Sequence, residues 1–244
     1  MKIDAEGVYY KELNKIMREA LLKGTKKFTL YNVSGQRYIG SDLDGKVRID
    51  IYGTPGNDLA AFMDGPRIVV HGNGQDGIGN TMNEGEVIIY GHSGDITGLS
   101  MRGGKIFIKE NVGYRVGIHM KSYQSRSPLL IIGGTAYDFL GEYMAGGTLI
   151  VLGLNLKEGE YHQANFIGTG MHGGVIYLRG KVHNYQLGKE VSVVEIQDSD
   201  YKLLKKYIYE FAKWFELDPE RILKGEFTKL LPLTLRPYGK IYCY

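Results

Sequence analysis

Apolar positions follow two different periods along this chain. Toward both ends they recur every three to four residues, whereas the centre carries short β-branched runs set between glycines. Leu13, Ile16, Met17, Ala20 and Leu21 fall on one face of a helix, and Gly24 stands where a left-handed residue would end it. Leu204, Tyr207, Ile208, Phe211, Trp214 and Phe215 form a second stripe, with Ser199 or Asp200 as its expected N-cap. Asp218-Pro219 predicts the cap and first residue of a short third helix that ends at Gly225. Residues 231–244 hold two prolines and no clear period, as expected of an arm on the body or a segment that docks on a partner.

The centre is a repeat. Met63, Met82, Met101, Met120, Met144 and Met171 are spaced by 19, 19, 19, 24 and 27 residues. A small residue precedes each by three positions: Ala60, Gly79, Gly98, Gly117, Gly141 and Gly168. One or two glycines follow most of the methionines, and then a run such as Arg67–Val70, Glu86–Ile89 or Val175–Leu178. The unit reads G-x-x-M-x-G-G-x-(I/V)-x-(I/V)-x-G. Four-residue β runs and repeated glycines exclude a helical repeat. A period near 20 residues made of strands implies a stacked coil, and parallel crossovers prefer the right hand.

The expected fold is therefore mainly β: a right-handed, single-stranded parallel β-helix of about seven coils over residues 40–196. Residues 1–39 form an amino-terminal helix and lead-in strands, and residues 197–244 form carboxy-terminal helices and a tail, all in one domain. The methionines should stack along the coil axis, where a long adaptable side chain fills space. The helical flanks should cover the open ends of the solenoid. The long fourth and fifth intervals imply loops at residues 121–128 and 155–165 that protrude.

Composition sharpens this picture. The 35 glycines are about twice the usual share, and 29 of them lie between Gly40 and Gly180, in phase with the methionines. Hydrophobic content of 43% with a net charge of +3 supports a folded core rather than disorder. Basic and acidic residues alternate, so no nucleic-acid patch is expected. No apolar run reaches the length of a membrane span. The first fifteen residues lack an apolar signal core, so a reducing cytoplasm is the expected compartment. The single cysteine, Cys243, allows no intrachain disulfide and no cysteine-ligated cluster.

Candidate chemistry is sparse. Residues 72–77 (GNGQDG) fit G-x-G-x-x-G, but a dinucleotide site needs a helix to open next, and Ile78–Met82 leads to another β run. Repeat punctuation accounts for these glycines. His71 lies 19 residues from both Tyr52 and Tyr90, which predicts an external ladder, and His119 and His172 flank core methionines. Asn57, Asp76, Asp95 and Asp138 each stand six residues before a methionine. A carboxylate pair drawn from Asp76 and Asp95 would suit a glycan-cleaving solenoid, yet one acid per coil at fixed phase is also what turn chemistry produces. The turn reading is preferred, and no catalytic, cofactor-binding or metal residue is assigned.

The repeat, with its paired glycines and phased methionines, resembles the GXGXG domain, the carboxy-terminal β-helix of the glutamate synthase large subunit. Residues 32–40 (NVSGQRYIG) resemble its lead-in, and residues 203–235 its closing helices. A β-helical component of formylmethanofuran dehydrogenase shares the coil pattern. The resemblance implies a scaffold that holds catalytic domains in place. It also implies that FMN and an iron–sulfur cluster belong on separately encoded partner chains, an amidotransferase and a synthase, with no cofactor bound here. A homo-oligomer is compatible with it. The alternatives are a component of a formylmethanofuran dehydrogenase-type oxidoreductase, or an independent solenoid enzyme. The stacked core makes one direct prediction: Met101→Ala should lower unfolding free energy by about 2–5 kcal/mol in urea titrations, and a near-neutral result would remove Met101 from the interior.

Overall fold

In the computed structural model, which describes residues 1–234, the chain is a parallel β-solenoid. Eight strands repeat once per coil: β2 (Lys27–Ser34), β3 (Arg48–Thr54), β4 (Asp64–His71), β5 (Glu84–Ile89), β6 (Lys105–Ile108), β7 (Leu129–Ile132), β8 (Ala145–Val151) and β9 (Gly173–Arg179). Each pairs in parallel with the next, so Arg48, Arg67, Glu86, Lys105, Leu129 and Thr148 stand in one row. The short β1 (Lys2–Asp4) adds a parallel strand before β2. At the far end β11 (Phe227–Pro232) pairs antiparallel with β9, and β10 (Val191–Val194) with β11.

Alternation within each strand creates two apolar faces. Phe28, Ile49, Ile68, Val87, Ile106, Leu130, Leu149 and Ile176 point into the coil, and Val69, Ile88, Phe107, Ile131, Ile150 and Tyr177 point out of it. The six methionines are buried inside. So is a row that the methionine period does not announce, one residue before each small position: Ile39, Leu59, Ile78, Thr97, Val116, Leu140 and Ile167.

Opposite the sheet, each coil runs through an arm in which every second residue is left-handed. In one coil these are Asp58, Ala60 and Phe62; in a later one, Arg115, Gly117 and His119. Such backbone costs about 1 kcal/mol or more per non-glycine residue. Here hydrogen bonds to both neighbouring coils hold it. Ala60 N donates to Ile39 O in the preceding coil, and Asp58 N and Phe62 N donate to Asp76 O and Asn80 O in the next. The ladder repeats through Gly79, Gly98, Gly117, Gly141, Gly168 and Gly188 at 2.7–2.8 Å. Side chains of several outer left-handed residues, among them Phe62, Arg115, His119 and Tyr143, are exposed. The middle residue points inward: at Gly79 (φ +68°) a Cβ would collide with Ile106 Cδ1. Ala60 is the one departure, with a buried methyl at φ 61°.

The glycine pair after Met101, Met144 and Met171 has a separate cause. A Cβ on Gly104 (φ +76°) would lie 2.5 Å from Met82 Cε and 2.8 Å from Gly85 O. The second glycine is thus the socket for the thioether of the coil before. Gly174 does the same for Met144.

Several expectations change. The solenoid makes about six full turns, slightly fewer than seven: six corners carry methionine, while Leu43 and Val191 hold the equivalent position in the incomplete segments at the two ends. The parallel ladder already begins at Lys27, because Phe28 and Leu30 share the inward row. Helix α1 (Tyr10–Leu22) covers one end as expected, burying Leu13, Met17 and Ala20, with Gly24 left-handed beyond it. Helix α2 (Asp198–Phe215), in contrast, lies across the outer face of the sheet rather than over an end. Leu204, Ile208, Phe211 and Phe215 cover the apolar row from Val69 to Tyr177. Its 18 residues span about 27 Å, close to the ~24 Å of the five strand steps from β4 to β9. The far end is closed by β11 and β10 instead.

Neither Ser199 nor Asp200 is the cap of α2. Gln197 is, and Asp200 reaches back from the third helical position to accept from Gln197 N at 2.7 Å. Asp218 and Pro219 open α3 (Pro219–Leu223) as expected. Loop 155–165 is exposed at its tip and pinned by buried His162. Loop 121–128 does not protrude: Tyr123 and Arg126 pair as a tight hairpin that folds back over the strand starts. Of the tail, Leu231 and Pro232 belong to β11; residues 235–244, with Cys243, lie outside the described residues.

The socket can be tested by a double-mutant cycle. Gly104→Ala should cost about 2–4 kcal/mol in urea unfolding, from a left-handed alanine plus overpacking. The cost should shrink in a Met82→Leu background, which removes the opposing methyl. Simple additivity of the two changes would refute the contact.

Candidate docking surface

The acids phased with the repeat are occupied by backbone. Asp76 Oδ1 accepts from Asp95 N at 2.9 Å, Asp95 Oδ1 from Tyr114 N at 2.8 Å, and Asp138 Oδ1 from Asn165 N at 2.7 Å. Asn73 and Asn111 do the same for His92 N and Thr135 N. Each side chain caps a turn of the next coil, so turn chemistry accounts for them. In the stretch 72–77, Gly72 lies against Gly53 O, Gly74 against Ile78, and Gly77 is left-handed; no helix follows.

The histidines do not converge. His71 stacks between Tyr52 (4.4 Å) and Tyr90 (5.4 Å), with Tyr31 on Tyr52 beyond, as the 19-residue spacing implied. His119 stacks outward on Tyr143 at 5.3 Å, while His172 bonds to Gly170 O at a different corner. Among the described residues, no group of three or more His, Cys, Asp or Glu is placed to hold a metal ion.

Two buried polar groups bind the added segments to the solenoid. Asp200 accepts from Tyr177 Oη at 2.5 Å and from Lys229 Nζ at 2.8 Å, so one carboxylate joins β9, α2 and β11. Burial pushes its pKa up, but the bonds from Lys229, Tyr177 and Gln197 N hold it below the usual carboxylate range. Burial, reinforced by Asp200, pushes the Tyr177 phenol well above its ordinary value. His162 contacts Arg179 O at 2.9 Å, and burial lowers its pKa below the ordinary imidazole range.

What the surface does offer is contact area. On the arm side, Phe166 stacks on Phe139 at 4.9 Å, and Arg115 lies 4.7 Å over Phe139 while pairing with Glu142 at 2.9 Å. Exposed Phe62, Tyr137, Tyr143 and Phe166 carry this aromatic array along the solenoid. Aromatic residues and arginine are the side chains enriched at protein interfaces. On the other side a groove of about 700 Å³ follows the strand starts, floored by Arg48, Arg67, Glu86 and Lys105 and walled by Tyr207 and the 121–128 hairpin. Glycines 65, 85 and 104 bring the backbone close to its surface.

A parallel solenoid with its repeat-phased acids bonded to backbone N–H groups and aromatic rows turned outward belongs to the parallel β-helix class of folds. The chain matches the GXGXG motif family over residues 18–233 and belongs to that family, in agreement with the likeness to the glutamate synthase domain. Uncharacterized protein MJ1350 of Methanocaldococcus jannaschii is a relative, 50% identical over 98% of this chain and 95% of its own length. No helix among the described residues is long and apolar enough to cross a membrane.

The buried groups set a pH response. The lowered pKa of His162 gives stability that is present above about pH 6.5 and lost as pH falls through the folded value, at up to about 1.4 kcal/mol per unit. Asp200, also lowered, contributes above about pH 4 and loses that contribution as pH falls further. Urea midpoints measured against pH should therefore fall in two stages. The first should vanish in His162→Gln, and its persistence would assign it to another group.

Proposed function

We propose that this chain is a non-catalytic scaffold subunit of a glutamate synthase-type complex, serving glutamate biosynthesis and ammonia assimilation. It holds two separately encoded partners, an amidotransferase chain and an FMN- and iron–sulfur-bearing synthase chain. The observation that carries the reading is the family match across the whole solenoid, on a body whose repeat-phased carboxylates are committed to backbone N–H groups. The cofactors belong to the partners in this reading: a chain with one cysteine supplies no cysteine-ligated cluster. The outward aromatic rows supply rigid contact area at low cost in side-chain entropy. A rigid spacer also fits the task, because ammonia released at one site must reach a second before it is lost to solvent.

The test is reconstitution. Glutamine-dependent glutamate formation by the two partner chains should rise about tenfold or more when this chain is added, since holding both sites together raises effective concentration. Ammonia-dependent formation should change little. Full glutamine-dependent activity in its absence would overturn the proposal. Co-purification with a molybdenum or tungsten enzyme would favour the formylmethanofuran dehydrogenase-type alternative.

A further inference from the structure

The groove along the strand starts is lined by more cations than anions. Lys26, Lys46, Arg48, Arg67, Lys105 and Arg126 line it, against only Glu84 and Glu86. Register sets the spacing: Arg48, Arg67, Glu86 and Lys105 follow one another in the parallel ladder, about 4.8 Å per step and so about 14 Å in all. Most of this charge is neutralised locally. Arg48 pairs with Asp50 at 2.8 Å, Arg67 with Glu86 at 2.5 Å, Lys105 with Glu210 at 2.5 Å, and Arg126 with Asp64 at 3.3 Å and Glu84 at 3.7 Å. Lys26 and Lys46, both exposed, take part in no ion pair among the described residues.

The hairpin that walls the groove adds to the excess. Arg102, whose Nε is buried without a hydrogen-bond partner, lies over the Tyr123 ring. Burial and the neighbouring Arg102 charge hold the Lys121 ammonium below its ordinary pKa. Arg102 and Lys121 thus place two more cations beside this loop, in a chain whose net charge is only +3. Opposite charge on a partner would relieve that excess and steer its approach.

We propose that this groove seats an acidic segment of a protein partner. The assignment rests on the scaffold reading and names the chemistry of one of its contacts. Glu84 and Glu86 interrupt the cationic row and would repel a continuous phosphate backbone. Tyr207 is the single aromatic side chain on the lining among the described residues, too little for a stacking platform. Carboxylates on a peptide can be spaced to meet Lys26 and Lys46 and to avoid the two glutamates. The open, elongated shape suits a chain segment better than a small anion, which would need converging donors.

The probe is a fluorescein-labelled decaglutamate peptide, followed by anisotropy over a salt series, with labelled oligothymidylate in parallel. Lys26→Glu/Lys46→Glu should weaken peptide binding about tenfold. Lys157→Glu/Lys189→Glu, exposed positions beyond the groove, should leave it unchanged. Equal loss in both variants, no peptide binding, or tighter binding of oligothymidylate would each overturn the assignment. The same variants in the reconstituted complex separate the two ideas. If both assemble like the wild type, the scaffold stands and the groove assignment falls. A wild type that binds the peptide at the groove but assembles with neither partner chain leaves the groove preference intact and removes the scaffold reading.

Discussion

The structure depends on one interaction, the hydrogen bond from each coil to the next along the axis. In the sheet this is the ordinary parallel ladder. In the arm it runs through Ala60, Gly79, Gly98, Gly117, Gly141, Gly168 and Gly188, whose N–H groups meet carbonyls of the preceding coil. Alternate residues of the arm face the next coil instead, so the arm is bonded in both directions. That arrangement supports a left-handed conformation at positions as unfavourable for it as Ile96 and Thr81. A single such residue would be strained; a stack of them, each bonded above and below, is a regular element.

The axial ladder explains why so much side-chain chemistry is committed to structure. A coil 4.8 Å from its neighbour presents backbone N–H groups at every turn, and Asp76, Asp95, Asp138, Asn73 and Asn111 accept from them. The same stacking makes aromatic rows, because a residue type at a fixed phase lies over its equivalent in the next coil. Tyr52–His71–Tyr90 and Phe139–Phe166 arise in this way. The result is a body bonded coil to coil with a patterned exterior.

The added segments bind to that body with a few buried polar groups as well as apolar area. Asp200 holds the start of α2 to β9 and β11, while Tyr90 Oη donates to Trp214 O near its end. Between these two points the helix covers a row of apolar side chains that an ordinary β-solenoid would need to make polar. The part of the outer face that α2 does not reach carries Asp50 and the Tyr31–Tyr52–His71 ladder instead.

The sequence by itself determined the repeat, its strands, the interior methionines and the turn role of the phased acids, because period and phase are properties of order along the chain. It also marked α1, α3 and the tyrosine–histidine ladder. It did not reveal the inward row from Ile39 to Ile167, whose residue type varies, or the reason for the second glycine, which is the methionine of another coil. Nor did it place α2. An amphipathic stripe says that a face must be buried but not against what, and the outward apolar row that receives it reads as ordinary strand interior. The groove was hidden for a similar reason: Arg48, Arg67 and Lys105 are far apart in sequence, and only parallel register brings them into line. Tertiary structure decided which distant residues became neighbours, and with that where charge and contact area were gathered.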